Sequence, residues 1–220
     1  FTRLGTKAKT FTAHVFMESG SSAWTVSGAA KIFNNVFLTT SSQPIYNGLL
    51  AYAGGTGTQI YNNTIIGVTG NGGSCASLTS TTSVLFKNNV ITSCDTAISA
   101  NTTTFVVGGL NYNVYAPQGL TNEFVWNLAT YTSNFTTWKT ACGCDANSLN
   151  PADAGLSSAG RPLGGSPVIA AGANLTALGI TALNADKDGV TRPALAVWDM
   201  GAYIMRSVIL GGGVTLGGGV

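Results

Sequence analysis

Charge is scarce in this sequence. Its 220 residues include 10 Lys or Arg and 8 Asp or Glu, 8% of the chain, where roughly 25% is ordinary. No basic run is present, which removes the usual electrostatic footprint of a nucleic-acid binder. No stretch of about 18 uncharged apolar residues is present, so no membrane-spanning helix is expected. A single histidine, His14, and the lack of a second close cysteine pair leave no complete zinc set. Phosphate loops, dinucleotide fingerprints and the Gly-x-Ser-x-Gly elbow are missing too. What remains is 45% apolar residues set among Gly, Thr, Ser and Asn. That composition suits β-structure, with small polar side chains outside and β-branched residues inside. The apolar fraction and a net charge of +2 argue against disorder. The length fits one domain with a substantial core, or two. The chain begins at Phe1 rather than Met, which reads as a processed product or a piece of something longer, with no targeting segment in view.

One phrase recurs: Ile32-Phe33-Asn34-Asn35-Val36-Phe37, Ile60-Tyr61-Asn62-Asn63-Thr64-Ile65 and Phe86-Lys87-Asn88-Asn89-Val90-Ile91, with a looser copy at Leu110-Asn111-Tyr112-Asn113-Val114-Tyr115. The last Asn of each copy recurs at steps of 28, 26 and 24 residues. Phe11-Thr12-Ala13-His14-Val15-Phe16 fits the same frame, with His14 in the Asn slot. Spaced leucines of a leucine-rich repeat are missing, and no copy has a 3.6-residue period, which excludes helical solenoids. Three short strands and three turns per coil fit instead, with coils about 4.8 Å apart through parallel-strand hydrogen bonds. The expected fold is all-β: a single-stranded parallel β-helix of about five coils of 21–28 residues plus a carboxy-terminal capping module. Residues 1–120 form the coils, 121–206 the module that continues and ends the solenoid, and 207–220 a Gly-rich tail. Ile32, Ile60 and Phe86 stack inside in register. His14, Asn35, Asn63, Asn89 and Asn113 are expected to form a ladder in which each amide donates to the next.

Beyond residue 120 the repeat gives way to an aromatic cluster (Trp126, Tyr131, Phe135, Trp138) with helix-compatible spacing near Phe135–Thr140. Then come Asp145-Ala146-Asn147-Ser148-Leu149-Asn150-Pro151, Ser166-Pro167-Val168-Ile169-Ala170-Ala171-Gly172, Asp188-Gly189-Val190-Thr191-Arg192-Pro193 and Asp199-Met200-Gly201-Ala202-Tyr203. This series resembles the carboxy-terminal end of bacterial and phage right-handed parallel β-helix proteins of the pectate-lyase-like superfamily. With the Asn phrases, the resemblance covers most of residues 11–206. It implies a right-handed solenoid and an end module covering the open strand edges and core of the last coil. Two departures remove charge: Ala171 stands where an acid is usual, and Ile204 where a terminal Glu is common.

Polysaccharide lyases and hydrolases on such a fold use carboxylates and basic groups along one face. Hydrolysis needs two carboxyls roughly 5–10 Å apart. Elimination needs a base and commonly calcium. Between Trp24 and Leu120 the charged residues are Lys31, Lys87 and Asp95 alone. The catalytic candidates are therefore His14, Glu18 and Asp95, and none completes a carboxylate pair. Asp186, Asp188 and Asp199 are read as turn caps partnered by Arg192, with a structural calcium as the alternative; no other cofactor is implied. Tyr46, Tyr52, Tyr61 and Tyr112 are the candidates for stacking on glycan rings. Cys75 and Cys94 read first as buried small hydrophobes. Cys142 and Cys144 form either one close bridge or halves of two, since an even cysteine count in such a chain permits disulfides outside the cell. The tail, with apolar triplets separated by Gly-Gly-Gly, suits packing against identical or neighbouring chains. The expectation is a non-catalytic structural or adhesive protein, extracellular or on a virion surface, as a phage appendage or a surface filament. It would form a homo-oligomer or join other surface proteins, and bind glycan. The alternative is a polysaccharide lyase or hydrolase completed by a partner chain.

Overall fold

The computed structural model describes residues 10–11, 14–17, 25–26, 31–39, 50–67, 74–100, 104–116, 123–132 and 134–206. Among these, strands dominate and fall into two sheets. Every strand pairing is parallel except in one hairpin, where Glu123–Trp126 meets Ala129–Thr132. No described helix is long and apolar enough to cross a membrane.

The recurring phrase builds both sheets at once. Its first residues form or end a strand, the next two (Asn-Asn in three copies, Tyr112-Asn113 in the fourth) form a corner, and its last residues form a second strand in the other sheet. The first corner residue is left-handed in every copy: Asn34 has φ 55°, Asn62 48°, Asn88 57° and Tyr112 57°. Asn tolerates that conformation better than other residues with a side chain. A change in direction at each Asn-Asn therefore follows from local chemistry.

Parallel pairing then brings like positions into file. Before the corner, Ile32 lies opposite Ile60, Ile60 opposite Phe86, and Phe86 opposite Leu110. After it, Phe37, Ile65, Ile91 and Tyr115 lie in file across strands Val36–Thr39, Thr64–Ile66, Val90–Thr92 and Val114–Ala116. All eight side chains are buried in one core. Because successive strand residues face opposite sides, Val36, Thr64, Val90 and Val114 face the other way, and they too are buried. The cover they require comes from residues 150–206.

One expected position shifts. Strand His14–Met17 pairs with Val36–Thr39 so that His14 lies opposite Val36. His14 therefore stands one place beyond the Asn file, because only two residues separate it from Phe11, which pairs with Ile32, where three separate Ile32 from Val36. Glu18 and Tyr46 lie outside the described residues, as does the tail from 207 on, and of Tyr52 only the backbone, in strand Leu50–Thr56, is described.

At the Asn113 end the chain forms helix α1 (Phe135–Cys142). Asn134 caps it, its side chain accepting from Thr137 N at 2.9 Å, and left-handed Gly143 ends it. Trp138 is its buried residue, stacked on Phe124 at 5.0 Å between centroids, and Phe124 meets Tyr115 edge-on at 5.1 Å. These rings close the core at that end.

Cys75 and Cys94 are buried, but as a disulfide rather than as free thiols; Cys142 and Cys144 form a second bridge across Gly143. A Cβ on Gly67 would lie 2.6 Å from Ser93 O and 3.0 and 3.1 Å from the Cys94 and Cys75 sulfurs, so only glycine lets the chain pass the bridge. The Cys75–Cys94 bridge joins residues 19 apart. Chain-entropy arguments give such a loop about 3 kcal/mol. Replacing both cysteines by alanine should lower the unfolding free energy by about that amount in a urea titration.

Candidate functional site

The densest array of buried polar groups lies at the corners, where the two asparagines of each phrase do different work. The second one points inward. Asn35 Nδ2 donates to Asn63 Oδ1 at 2.9 Å, Asn63 Nδ2 to Asn89 Oδ1 at 3.0 Å, and Asn89 Nδ2 to Asn113 Oδ1 at 3.2 Å. The same oxygens accept the backbone N–H of the preceding Asn, each at 3.0 Å. The other amide hydrogens go to strand carbonyls, such as Asn63 Nδ2 to Ile32 O and Asn113 Nδ2 to Phe86 O. All four asparagines have no exposed surface. Unpaired, each buried donor or acceptor would cost about 1–3 kcal/mol.

A column in which every member donates the same way must end on an acceptor, and residues 145–149 supply it. Leu149 pairs in parallel with Val114 and continues the five-stranded sheet by one rung. Ser148 then takes the next ladder place, its Oγ accepting Asn113 N at 2.8 Å. Asn113 Nδ2 reaches Asp145 Oδ1 at 3.3 Å, and Ser148 Oγ donates to the same oxygen. The Asp145 carboxyl also receives the Tyr115 hydroxyl and, at 2.9 Å, Trp138 Nε1. It is completely buried. The donors pull its pKa down, but desolvation is the larger influence and the net shift is upward. Burial, reinforced by the neighbouring carboxylate, pushes the Tyr115 hydroxyl well up as well. Nothing in the repeat marks Asp145 or Ser148 as part of the column, because the step from Asn113 to Ser148 is 35 residues and the side chain is no longer an amide.

The first asparagine of each corner points outward and holds residues 150–206 along the flank of the repeats. Asn34 Nδ2 donates to Ala185 O at 2.7 Å, Asn62 Nδ2 to Asp199 O and Gly201 O, and Asn88 Nδ2 to Ala173 O. Asn88 Oδ1 accepts Ala173 N at 2.8 Å. Between these anchors the apolar contacts close: Phe33 and Tyr61 pack with Leu183 and Trp198, Val90 and Val114 with Val168 and Met200, and Val36 with Ala202 and Tyr203. Gly201 is left-handed at φ +89°, and a Cβ there would lie 2.7 Å from Thr64 Oγ1. The segment thus runs back beside the column, from Leu149 at Val114 to Tyr203 at Val36. Its cover lies on the side as well as at the end.

The charged residues of this segment secure its own turns. Asp186 accepts from Asp188 N, Val190 N and Ile204 N, and Asp199 from Ala170 N and Met205 N. Asp188 pairs with Arg161 at 2.7 Å and Arg206 at 2.8 Å. The expected pairing of these acids with Arg192 is replaced by another arrangement. Arg192 is buried and reaches Asn34 Oδ1 and Gly201 O, both at 3.1 Å, facing the Trp198 ring. With no carboxylate in contact, burial lowers its pKa to about 10. It remains a cation at neutral pH, solvated by carbonyls.

The aromatic candidates divide. Tyr61 is fully buried, its hydroxyl has no partner among the described residues, and burial pushes its pKa up to about 12. It presents no face to a glycan. Tyr112 occupies the left-handed corner position and packs partly against Val90 and Val114. Asp95 is half-buried beside strand Thr96–Ala100. Among the described residues no group of three or more His, Cys, Asp or Glu side chains is placed to hold a metal ion. A shallow recess of about 130 Å³ lies where Thr92 and Ser93 meet Asp153, Leu156, Ser157 and Ser158. No protein-family model matches the chain, and no curated protein or solved structure shows significant similarity to it.

Two outcomes follow from the columns. Asn63→Ala takes the acceptor from the Asn35 N–H, the amide donor from Ile32 O and one of the two donors from Asn89 Oδ1, and should cost about 3 kcal/mol or more in chemical denaturation. The raised Asp145 pKa means the folded state holds that proton more tightly than the unfolded chain. This contribution to stability is complete below the unfolded value near about 3.9 and is lost as pH rises through the folded value. The urea midpoint should therefore carry a component that falls with rising pH in this range. Asp145→Asn should remove that component, while lowering the midpoint itself because an amide then faces the Trp138 donor.

Proposed function

We propose that this chain is a non-catalytic structural and adhesive protein built as a right-handed parallel β-helix, extracellular or on a virion surface, and a component of a phage appendage or surface filament. The resemblance to pectate-lyase-like β-helix proteins is part of the same proposal. The observation that carries it is how the polar side chains are used: the corner asparagines, Asp186 and Asp199 each hold backbone or one another. A group committed to backbone in this way is not available to transfer a proton to a bound sugar.

Supporting observations concern the surface and the cysteines. Two buried or partly buried disulfides suit an oxidising compartment. Residues 193–197, Pro-Ala-Leu-Ala-Val, are exposed, with Leu195 wholly so. Their carbonyls at 193, 194 and 196 all receive Asn174 Nδ2, and Trp198 Nε1 donates to Pro193 O. A rigid apolar projection suits assembly with other copies of the chain. The recess near Thr92, lined by hydroxyls, the Asp153 carboxyl and apolar side chains, suits hydrogen bonding to a glycan.

A panel of acidic and neutral polysaccharides tests this reading. The expected result is binding without release of reducing or unsaturated ends. Turnover that disappears in Asp95→Asn or His14→Ala would replace the reading with a polysaccharide-cleaving enzyme.

A further inference from the structure

The Cys142–Cys144 bridge spans a single residue, Gly143. Closing so short a loop removes little freedom from the unfolded chain, so stability alone gives it little reason to exist. Its surroundings differ from those of the other bridge. Cys75 and Cys94 are 1% and 4% exposed. Cys142 is partly exposed between exposed Ala141 and Gly143, while Cys144 is buried. The pair is thus asymmetric: Cys142 keeps part of its surface exposed while packing against the edge of the core, and Cys144 is buried. The buried sulfur, Cys144 Sγ, lies 3.9 Å from Asp145 Oδ2. That carboxyl is the one on which the asparagine column ends.

We propose that Cys142–Cys144 is a thiol–disulfide exchange site that accepts electrons from a dithiol, with Asp145 handling the proton at the buried sulfur. The dithiol's thiolate attacks Cys142 Sγ, the S–S bond breaks, and Cys144 Sγ leaves with the electron pair. Protonated Asp145 gives the leaving sulfur its proton and is reprotonated from solvent. The second thiol of the reductant, as thiolate, attacks the mixed disulfide, closes the reductant's own disulfide and expels Cys142 as a thiolate that takes up a proton. Two electrons and two protons pass from the dithiol to the protein.

Asp145 also makes the step sensitive to pH. Once ionised, its charge opposes a thiolate leaving 3.9 Å away, and a leaving group of raised pKa departs slowly. The titratable neighbour packed against the carboxyl is Tyr115, which burial keeps neutral. Trp138, Ser148 and Asn113 are uncharged donors, and Lys139 of α1 sits over the Phe135 ring instead. Reduction at this site unlocks the residue next to the column's last acceptor, so it loosens the Asn113 end of the fold.

The test uses the full oxidised chain and dithiothreitol over a range of pH under native conditions, with alkylation and peptide mass spectrometry. Cys142 and Cys144 should be alkylated at least about tenfold faster than Cys75 and Cys94. The rate in Asp145→Asn relative to wild type should rise with pH as the wild-type carboxyl ionises. If that variant does not fold, Ser148→Ala serves, since removing a donor raises the carboxyl's pKa and should move the break in the pH profile upward. Simultaneous opening of both bridges, or opening only on unfolding, overturns the exchange site. A rate ratio that does not change with pH, or a Ser148→Ala break that stays in place, overturns the role of Asp145.

Discussion

A buried primary amide has two donors and an acceptor to satisfy, and in this protein four of them are satisfied chiefly by one another. Asn63, Asn89 and Asn113 each accept two hydrogen bonds on the oxygen from the preceding asparagine, and Asn35, Asn63 and Asn89 each pass one hydrogen to the next. The arrangement tolerates no slip. Moving one strand by a residue would remove both partners from an oxygen and turn each side chain to the opposite face. Register in both sheets depends on that column, and so do the apolar files on either side of it.

A uniform direction of donation has a structural price at its end, where a donor remains without an amide to receive it. Asp145 and Ser148 divide between them the task that one asparagine oxygen performs at each earlier rung. Placing a carboxyl in the core is unfavourable, and Tyr115 and Trp138 reduce that penalty by donating to it. The aromatic cluster around α1 is thus tied to the column by hydrogen bonds as well as by packing. The outward asparagines, one residue earlier, use the same corner to hold residues 150–206. In three of the four copies one Asn-Asn pair therefore specifies both an inner register and an outer contact.

Much of this is legible in the sequence. The recurring phrase at shrinking intervals revealed the second asparagines and the apolar files, because parallel stacking keeps identical positions together while turns vary in length. The first copy misled, since a one-residue difference between Phe11 and His14 moves His14 opposite Val36. The first asparagine of each pair could not be interpreted alone: its left-handed backbone leaves no mark in composition, and its partners lie 85 to 151 residues away. Tyr61 stood among the glycan-stacking candidates because alternation alone does not decide which tyrosines face outwards, and the segment that covers it arrives from much later in the chain. Arg192 was read as an ion-pair partner for nearby acids, whereas those acids are occupied by closer backbone N–H groups. Asp145 was hidden by the change from amide to carboxyl and the longer step.

The central claim is that the corner asparagines form one connected, buried column rather than four separate turns. Hydrogen exchange of the backbone amides of Asn35, Asn63 and Asn89, followed by NMR, tests it most directly, since each donates to the next asparagine's side chain. The account predicts that all three exchange only through global unfolding, with the same opening free energy as the strand amides of Ile65 and Ile91. Fast or unequal exchange of these amides while the strands stay protected would contradict it.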